Sequence, residues 1–324
     1  MARPAVPRPA LFRHSRRLLN EPDEFADAAS GIHLTVDFQK KQERVSRVEQ
    51  FQSADWALDF GEANVRTRVS GVLEGGWGSL CLMRGPGHAT WNGQAAAPGT
   101  VALLPPGAEL DGCTSADFAW LTAAIPPEVW ARCVSVAGAD ERQPRQLVVT
   151  PLPESLLARI EAGLKDAHRS LLGGGNASSL LAMENTASFV ADVFTSVCEL
   201  AGSTAPLRDS LRNRARLARR AEAWLQDHMG ETVQVPDLCL ALRVSRRELE
   251  YAFRSIFNQS PRDYLETMRL NAVRRALLRA DGEQDTVIAI AYANGITHLG
   301  RFAANYRKLF GEKPGETLKL SLKI

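Results

Sequence analysis

The spacing of apolar residues changes twice along the chain. Between residues 34 and 125, short apolar or alternating runs are separated by Gly, Pro, Asn and Asp, which predicts many short strands joined by turns. Residues 152–172 and 179–200 then carry apolar side chains at helical spacing and predict a pair of helices. Helical spacing returns from about residue 217 to about residue 318. We therefore expect an α+β fold of two domains: a β-rich sandwich or small barrel with a helical pair, then an all-α domain.

The clearest helical pattern is VSRRELEYAFRSIF, residues 244–257. Ser245 is placed to cap the first turn of this helix. A shorter apolar segment, residues 233–242, precedes it and is separated from it by a short turn. This order is typical of a helix-turn-helix, whose second helix enters the major groove of DNA. The apolar side chains of the second helix share one face: Leu249, Phe253, Ile256 and Phe257.

The same pattern occurs a second time near the C-terminus. Four small or apolar residues recur 52 positions later, so that Leu238, Cys239, Ala241 and Val244 correspond to Ile290, Ala291, Ala293 and Ile296. After one extra residue the interval is 53, and Leu249, Phe253, Arg254, Phe257 and Pro261 correspond to Phe302, Tyr306, Arg307, Phe310 and Pro314. Residues 261–279 between the units predict a helix of about 20 residues, or roughly 30 Å. Successive major grooves lie roughly 34 Å apart, so one chain could reach two of them.

This arrangement resembles the C-terminal DNA-binding domain of the AraC/XylS family of transcription regulators. The resemblance covers about residues 217–318, and Ile296 replaces the Phe that is usual after the turn glycine. The N-terminal part resembles the family's cupin-like sensor domain, best at residues 97–110. The matching positions of the second unit are Ile290, Ala291, Gly295, Phe302, Tyr306, Arg307, Lys308, Gly311 and Pro314.

The resemblance implies a role for the outward positions of both reading helices. In the first helix the base-reading positions are Arg247, Glu250 and Tyr251, where Arg suits guanine and Glu can accept from cytosine. The equivalent positions of the second helix lack groups that could bond a base in two places: Leu299, Gly300, Ala303 and Ala304. Contacts to the DNA backbone are expected from Ser245, Arg246, Arg254, Thr297, His298, Arg301, Asn305, Arg307 and Lys308. We therefore expect most sequence reading from the first helix.

Charge is distributed unevenly along the 324 residues. The net charge is +2, but residues 210–324 hold 20 Lys and Arg against 13 Asp and Glu, a net +7, whereas the first 209 residues carry −5. A basic C-terminal third suits contact with a polyanion. We expect duplex DNA as a partner, and RNA polymerase as well if the protein activates transcription.

The expected domains are an N-terminal arm (1–30), a β-rich sensor (31–150), a helical pair (151–200), a linker (201–213) and the DNA-binding domain (214–324). The family resemblance favours a homodimer formed by the helical pair. No apolar run is long enough to cross a membrane, and there is no signal peptide, so we expect a cytoplasmic protein. Residues expected at the dimer interface are Phe189, Val193, Val197 and Leu200.

Tryptophans are concentrated in the β-rich region, at positions 56, 77, 91, 120 and 130. With two arginines they could line a pocket for an anionic or aromatic effector, or they could simply fill a small core. If there is no effector, the N-terminal domain would serve as an interaction module, and the sequence leaves this alternative open. The candidate pocket residues are Trp56, Arg66, Trp77, Arg84, Trp91 and Trp120.

A metal-dependent cupin enzyme is the rival interpretation of this region. Such an enzyme needs converging His and carboxylate ligands, but His33 and His88 are far apart and no HxH occurs. GxSxG, P-loop and GxGxxG motifs are also missing. The five cysteines are scattered without a CxxC, which argues against zinc or a disulfide framework. We expect no enzyme activity, no metal and no cofactor.

Overall fold

The structure is a computed structural model, and it contains two domains, as predicted. Residues 1–11 of the expected arm lie outside the described residues, as do residues 203–208 of the expected linker. The structure describes residues 12–28, 32–40, 46–73, 76–138, 146–173, 176–202, 209–280 and 285–321.

The N-terminal domain is built from two antiparallel sheets that face each other. The seven-stranded sheet has the order β1 (Arg13–Leu19), β3 (Ser46–Gln52), β4 (Ala57–Ala63), β11 (Phe118–Ile125), β6 (Gly78–Arg84), β9 (Thr100–Leu104) and β12 (Val148–Pro151). The five-stranded sheet has the order β2 (Ile32–Lys40), β5 (Arg66–Leu73), β10 (Glu109–Thr114), β7 (Ala89–Trp91) and β8 (Gln94–Ala96). The apolar or alternating runs at residues 65–69, 80–83, 89–91, 101–104 and 118–125 predict strands, and these are confirmed as β5, β6, β7, β9 and β11.

Strand alternation gives the seven-stranded sheet two different apolar faces. In β6, Leu80 and Leu82 lie in the core beneath the helices, whereas Cys81 and Met83 face the opposite sheet. Burying each such side chain contributes about 1.5–3 kcal/mol relative to exposure. Three helices cover the outer face: α2 (Pro127–Val136), α3 (Glu154–Gly173) and α4 (Asn176–Gly202).

Part of the expected arm forms a strand and a short helix. Strand β1 pairs with β3 along its whole length, and the short helix α1 (Pro22–Asp27) follows it. The sequence of β1, RHSRRLL, is mostly charged and exposed. This suits the edge of a sheet, because charged edges resist pairing with other chains. The β-domain therefore begins before residue 31.

The C-terminal domain is helical and contains two helix-turn-helix units. The first unit is α6 and α7, and the second is α9 and α10. Helix α8 joins them and begins with Ser260 as its cap and Pro261 in its first turn, as the pattern predicts. The helices are α5 (Asp209–Asp227), α6 (Val235–Leu242), α7 (Arg246–Phe257), α8 (Pro261–Leu278), α9 (Val287–Ala293), α10 (Leu299–Phe310) and α11 (Pro314–Ser321).

Each unit has its own apolar core on one half of α8. Tyr264, Leu265 and Met268 pack with α5, α6 and α7, whereas the second half of α8 packs with α9 and α10. Both cores also include residues of the N-terminal domain, such as Cys113 in the first and Phe38 in the second. The two domains are thus packed against each other through apolar contacts.

A side-chain amide on α8 extends this contact into the hydrogen bonding of the sheet. The Asn271 Oδ1 accepts from the Phe38 backbone N–H at 3.0 Å, and its Nδ2 donates to the Phe38 carbonyl at 2.8 Å. The amide therefore satisfies one residue of β2 as a neighbouring strand would. No helix within the described residues is long and apolar enough to cross a membrane.

Candidate DNA-binding surface

The turn between α6 and α7 is fixed by two local features. Arg243 ends α6 in the left-handed conformation, with φ 55° and ψ 48°, at a position where glycine is common in proteins. Ser245 caps α7: the Glu248 N–H donates to its Oγ at 3.2 Å, and the Ser245 N–H donates to the Glu248 carboxylate at 2.8 Å. The Ser245 hydroxyl also donates to this carboxylate, at 2.7 Å, and the two hydrogen bonds that the carboxylate accepts, from the Ser245 N–H and hydroxyl, lower the pKa of Glu248. The hydroxyl of Ser245, a candidate backbone contact, is thus already used in the cap.

The inward face of α7 is the apolar stripe that the sequence predicts. Leu249, Phe253, Ile256 and Phe257 are buried, and the ring of Phe257 stacks on that of Tyr264 with centroids 4.3 Å apart. A helix so anchored by its apolar face presents its opposite face in a fixed direction.

The outward face of α7 carries the predicted base-reading residues. Arg247 and Tyr251 are exposed, and the guanidinium of Arg247 lies 5.7 Å from the ring centroid of Tyr251. Glu250 is half-buried and forms an ion pair with Arg254 at 3.6 Å. Arg214 of α5 also approaches Tyr251, at 5.8 Å, and this arginine was not expected at the site. Only the general basic character of α5 could have signalled it.

The second unit repeats this geometry with a different outward face. Gly295 makes the turn with φ +72°, and a Cβ there would come within 2.6 Å of the Met229 carbonyl oxygen. The side chain of Asn305, a candidate backbone contact, donates to Glu266 on α8. Exposed positions of this unit include five of the predicted backbone contacts and three positions facing the groove: Thr297, His298, Gly300, Arg301, Ala303, Ala304, Arg307 and Lys308, with Leu299 half-buried.

The packed N-terminal domain leaves the outward faces of α7 and α10 open. Arg246, Arg247 and Tyr251 on α7, and Arg301 and Lys308 on α10, all stay exposed in the whole chain. DNA can therefore reach both helices without separation of the two domains.

A cavity of about 130 Å³ lies between the two sheets of the N-terminal domain. Two of the candidate pocket residues, Trp91 and Trp120, line it. Its charged lining residue, within the part of the chain that the structure describes, is Asp59, which accepts a hydrogen bond from Gln50 at 2.9 Å. Burial raises the pKa of the lining Cys81 thiol to about 12, so this group stays neutral.

The other four candidate pocket residues do not line this cavity. Trp56 is buried in the core beneath the helices, and Trp77 is half-exposed in a turn. Arg84 follows Met83 in β6, so strand alternation turns it to the outer face of the sheet. Arg66 lies on the face of β5 that points away from the cavity.

The expected dimer residues lie inside the chain. Val193 and Val197 are buried in the core between α4 and the seven-stranded sheet. Phe189 packs over Gly163 of α3, and Leu200 packs against the same core. The apolar stripe is thus covered by the chain's own sheet and helices, and it is not available to a second subunit.

The two histidines weighed for a metal-dependent enzyme are His33 and His88. The His33 side chain lies outside the described residues, and His88 is exposed. In the described ranges, no group of three or more His, Cys, Asp or Glu could hold a metal ion. The five cysteines are free.

Comparison with known proteins agrees with the repeated units. Residues 238–320 match a family described as a helix-turn-helix domain. A solved structure of a probable AraC family transcriptional regulator from Rhodopseudomonas palustris is 30% identical, with 33% of this chain and 97% of that one covered and a TM-score of 0.30.

Two curated relatives are transcription regulators. The probable thc operon regulatory protein of Rhodococcus erythropolis is 33% identical over 103 residues, and the match spans 32% of this chain and 31% of that protein. The XylDLEGF operon transcriptional activator of Pseudomonas putida is 26% identical over 240 residues, which is 72% of each chain. The family match and these two relatives agree with the repeated units: the C-terminal part of the chain is a helix-turn-helix domain, and it is similar to that of AraC/XylS-type transcription regulators.

Proposed function

We propose that this protein is a sequence-specific DNA-binding transcription regulator that places α7 and α10 in successive major grooves of one duplex. The observation that carries the proposal is that both reading faces are exposed while the N-terminal domain is packed in place. Each inward face is held by its own core, so the outward side chains keep a defined direction.

Within this proposal the two helices have different tasks. Arg247, Glu250 and Tyr251 on α7 read bases, because the exposed guanidinium of Arg247 and the half-buried carboxylate of Glu250 can bond base edges in the major groove. Helix α10 presents Gly300, Ala303 and other small side chains, so it approaches the duplex closely and binds mainly the phosphates. Its basic residues Arg301, Arg307 and Lys308 supply those contacts.

The test uses the full chain and two kinds of duplex, its own promoter region and sequences selected from a random library. We expect affinity to fall steeply with salt, since each neutralised phosphate contributes a slope of about −0.9 in log K against log salt. Arg246→Ala should make this slope shallower by about one unit. Arg132→Ala is the matched control, because Arg132 is an exposed arginine on α2 of the other domain. A folded chain that binds no duplex in a salt-dependent way refutes the proposal.

We further propose that a small molecule in the N-terminal cavity provides the signal. The lining is mostly apolar, with Asp59 and a few hydroxyls such as the Thr67–Thr114 pair, whose oxygens are 2.7 Å apart. By volume the cavity could hold on the order of ten water-sized groups. An anionic effector would meet Asp59 with no cation among the described lining residues, so a neutral, largely apolar effector fits better.

Thermal stability of the full chain tests this assignment. Indole should raise the melting temperature more than indole carboxylate at equal concentration, because binding to the native state stabilises it. Val69→Phe, which fills the cavity, should abolish the shift. If no neutral aromatic or aliphatic compound stabilises the chain, the alternative of a ligand-free interaction module gains support.

The homodimer and a contact with RNA polymerase also belong to this proposal. The relatives named as an operon activator and an operon regulatory protein motivate the polymerase contact. Sedimentation of the full chain at micromolar concentration tests the dimer, and a single monomeric species contradicts it.

A further inference from the structure

The last residues of the two reading helices are equivalent in the repeat and share an unusual contact. Phe257 ends α7, and Phe310 ends α10. The guanidinium of Arg68 lies 4.8 Å from the ring centroid of Phe257, and that of Arg274 lies 4.6 Å from the ring centroid of Phe310. Both arginines are only 2% exposed. Each reading helix therefore ends on a buried cation.

The first of these cations crosses the domain boundary from the N-terminal side. Arg68 lies on β5, and its Nη2 donates to the Glu222 carboxylate of α5 at 2.8 Å. The same nitrogen is 3.1 Å from Asp111 on β10, and Tyr264 of α8 donates its hydroxyl to Glu222. Burial disfavours the charge on Arg68, but Asp111 and Glu222 raise its pKa well above the usual value.

The second cation crosses the same boundary in the opposite direction. Arg274 lies on α8, and its Nε and Nη2 donate to the two carboxylate oxygens of Glu21 at 2.5 and 2.6 Å. Its Nη1 donates to Glu312, just after α10, at 2.9 Å. Beside it, Arg275 donates to Asp37 of β2 at 2.6 Å and to Asp23 of α1 at 2.9 Å.

Buried ion pairs of this kind hold the two domains in a fixed relative position. A buried charge without its partner costs about 3–5 kcal/mol, so the anchoring residues can hold only one relative placement of the two domains. Helix α8 by itself gives weaker control of geometry, because its 18 residues span about 27 Å and helices of this length bend. The N-terminal domain adds a second connection between the two units.

We propose that Arg68 and Arg274 are positioning residues for DNA recognition, which fix the distance and rotation between the reading helices by anchoring the ends of α7 and α10 to the N-terminal domain. The inference rests on the proposed function. Because the reading faces are open in this arrangement, the packed state is the one that binds DNA. The two bound DNA segments must then lie at one preferred spacing.

The test measures affinity of the full chain for a selected duplex in which one to five base pairs are inserted between the two segments. Five extra base pairs turn the second segment by about half a helical turn, away from α10. Losing the second of two linked contacts should weaken wild-type binding on the order of 100-fold. Glu21→Gln and Glu222→Gln keep the arginines but weaken the anchors, and we expect the penalty to fall to about 10-fold.

Glu62→Gln is the matched control, because Glu62 forms an ion pair with Arg47 on the exposed face of the sheet, away from the boundary. Melting curves establish that each variant is folded. If Glu222→Gln proves unstable, Arg68→Lys replaces it in the test: this variant keeps the charge and should retain most of the spacing preference. A variant that binds more weakly at every spacing, with the wild-type ratio unchanged, overturns the proposal, as does a wild-type chain without spacing preference. A wild-type chain that binds no duplex refutes the proposed function itself.

Discussion

Replacement of Arg247 by alanine tests the division of work between the reading helices. Arg247 is exposed on α7, and its described contact is the cation–π approach to Tyr251 at 5.7 Å. On α10 the positions facing the groove include Gly300, around which an added Cβ would have nothing within 4 Å. We expect Arg247→Ala to relax the preference at one or two base pairs. Lys308→Ala should weaken binding equally on all sequences.

The magnitude follows from the contacts that must be broken. A bidentate arginine–guanine contact is worth about 1–3 kcal/mol of discrimination, and an exposed cation–π contact about 0.5–1 kcal/mol. If Arg247 leaves Tyr251 to reach the base, about 0.5–2 kcal/mol remains, or roughly a 2- to 30-fold loss of preference. Glu250 should contribute less, because its ion pair with Arg254 at 3.6 Å must also open.

The assay is a set of binding curves for each variant against every single-base change of the selected site. The Arg247→Ala curves should collapse onto one another at the base pairs that face α7 and nowhere else. Lys308→Ala should shift all curves together and make their salt dependence shallower by about one phosphate. If the base pairs facing α10 prove as discriminating as those facing α7, the reasoning from side chains is refuted, and α10 reads DNA shape.

Three further predictions concern stability. Hydrogen bonds from Arg16, His168 and His14 outweigh burial and lower the pKa of Glu49 to about 2, so Glu49→Gln should cost about 1–2 kcal/mol at pH 7. This cost should shrink as the pH falls from 4.5 towards 2, and a constant difference in denaturation experiments would contradict the assignment. Val193→Asp should destabilise the chain by about 3–5 kcal/mol without changing its sedimentation, because Val193 is buried in the core. If the substitution instead converts a dimer into a stable monomer, Val193 lies at a subunit interface. Arg243→Gly should raise the free energy of unfolding by up to about 1 kcal/mol, and the melting temperature with it, since φ is 55° at this residue. Arg243→Lys should raise neither.

The helix-turn-helix units could be predicted because their signals are local. Ser245 capping α7 and Pro261 opening α8 act within one helical turn, and the apolar period of α7 needs no knowledge of the partner. The repeat adds independent support, since the same spacing appears twice. All of these features occur in the structure where the pattern places them.

The dimer face and the pocket could not be predicted, for two physical reasons. Periodicity shows that the face of α4 bearing Val193 is buried, but it does not say whether a sheet or a second subunit buries it. In β6 the run from Leu80 to Met83 is apolar at every position, so no alternation tells which side Arg84 occupies. A shift of one residue in register would move each side chain of the strand from the cavity to the outer surface, or the reverse.

Arg68 was overlooked for a related reason. Residues 65–69, VRTRV, alternate as expected for a strand with one polar face, and such a face normally meets water. Here Thr67 lines the cavity while Arg68 is covered by the C-terminal domain. The covering surface comes from residues more than 150 positions away, including Glu222, and local sequence holds no information about it.

The two halves of the proposed mechanism depend on each other. A reading helix without base contacts, such as α10, can improve binding only if placing it on DNA costs little additional freedom. The anchor at Arg274 reduces the freedom that α10 loses on binding, because Glu21 and Glu312 hold the end of this helix before DNA arrives. Helix α7, with Arg247 and its neighbours, can offset some loss of order through its own base contacts. Weakening the anchor at Glu21 should therefore reduce protection of the DNA segment under α10 more than that under α7, and footprints at equal occupancy will distinguish the two. Equal loss at both segments would mean that the anchors stabilise the fold without arranging the reading helices.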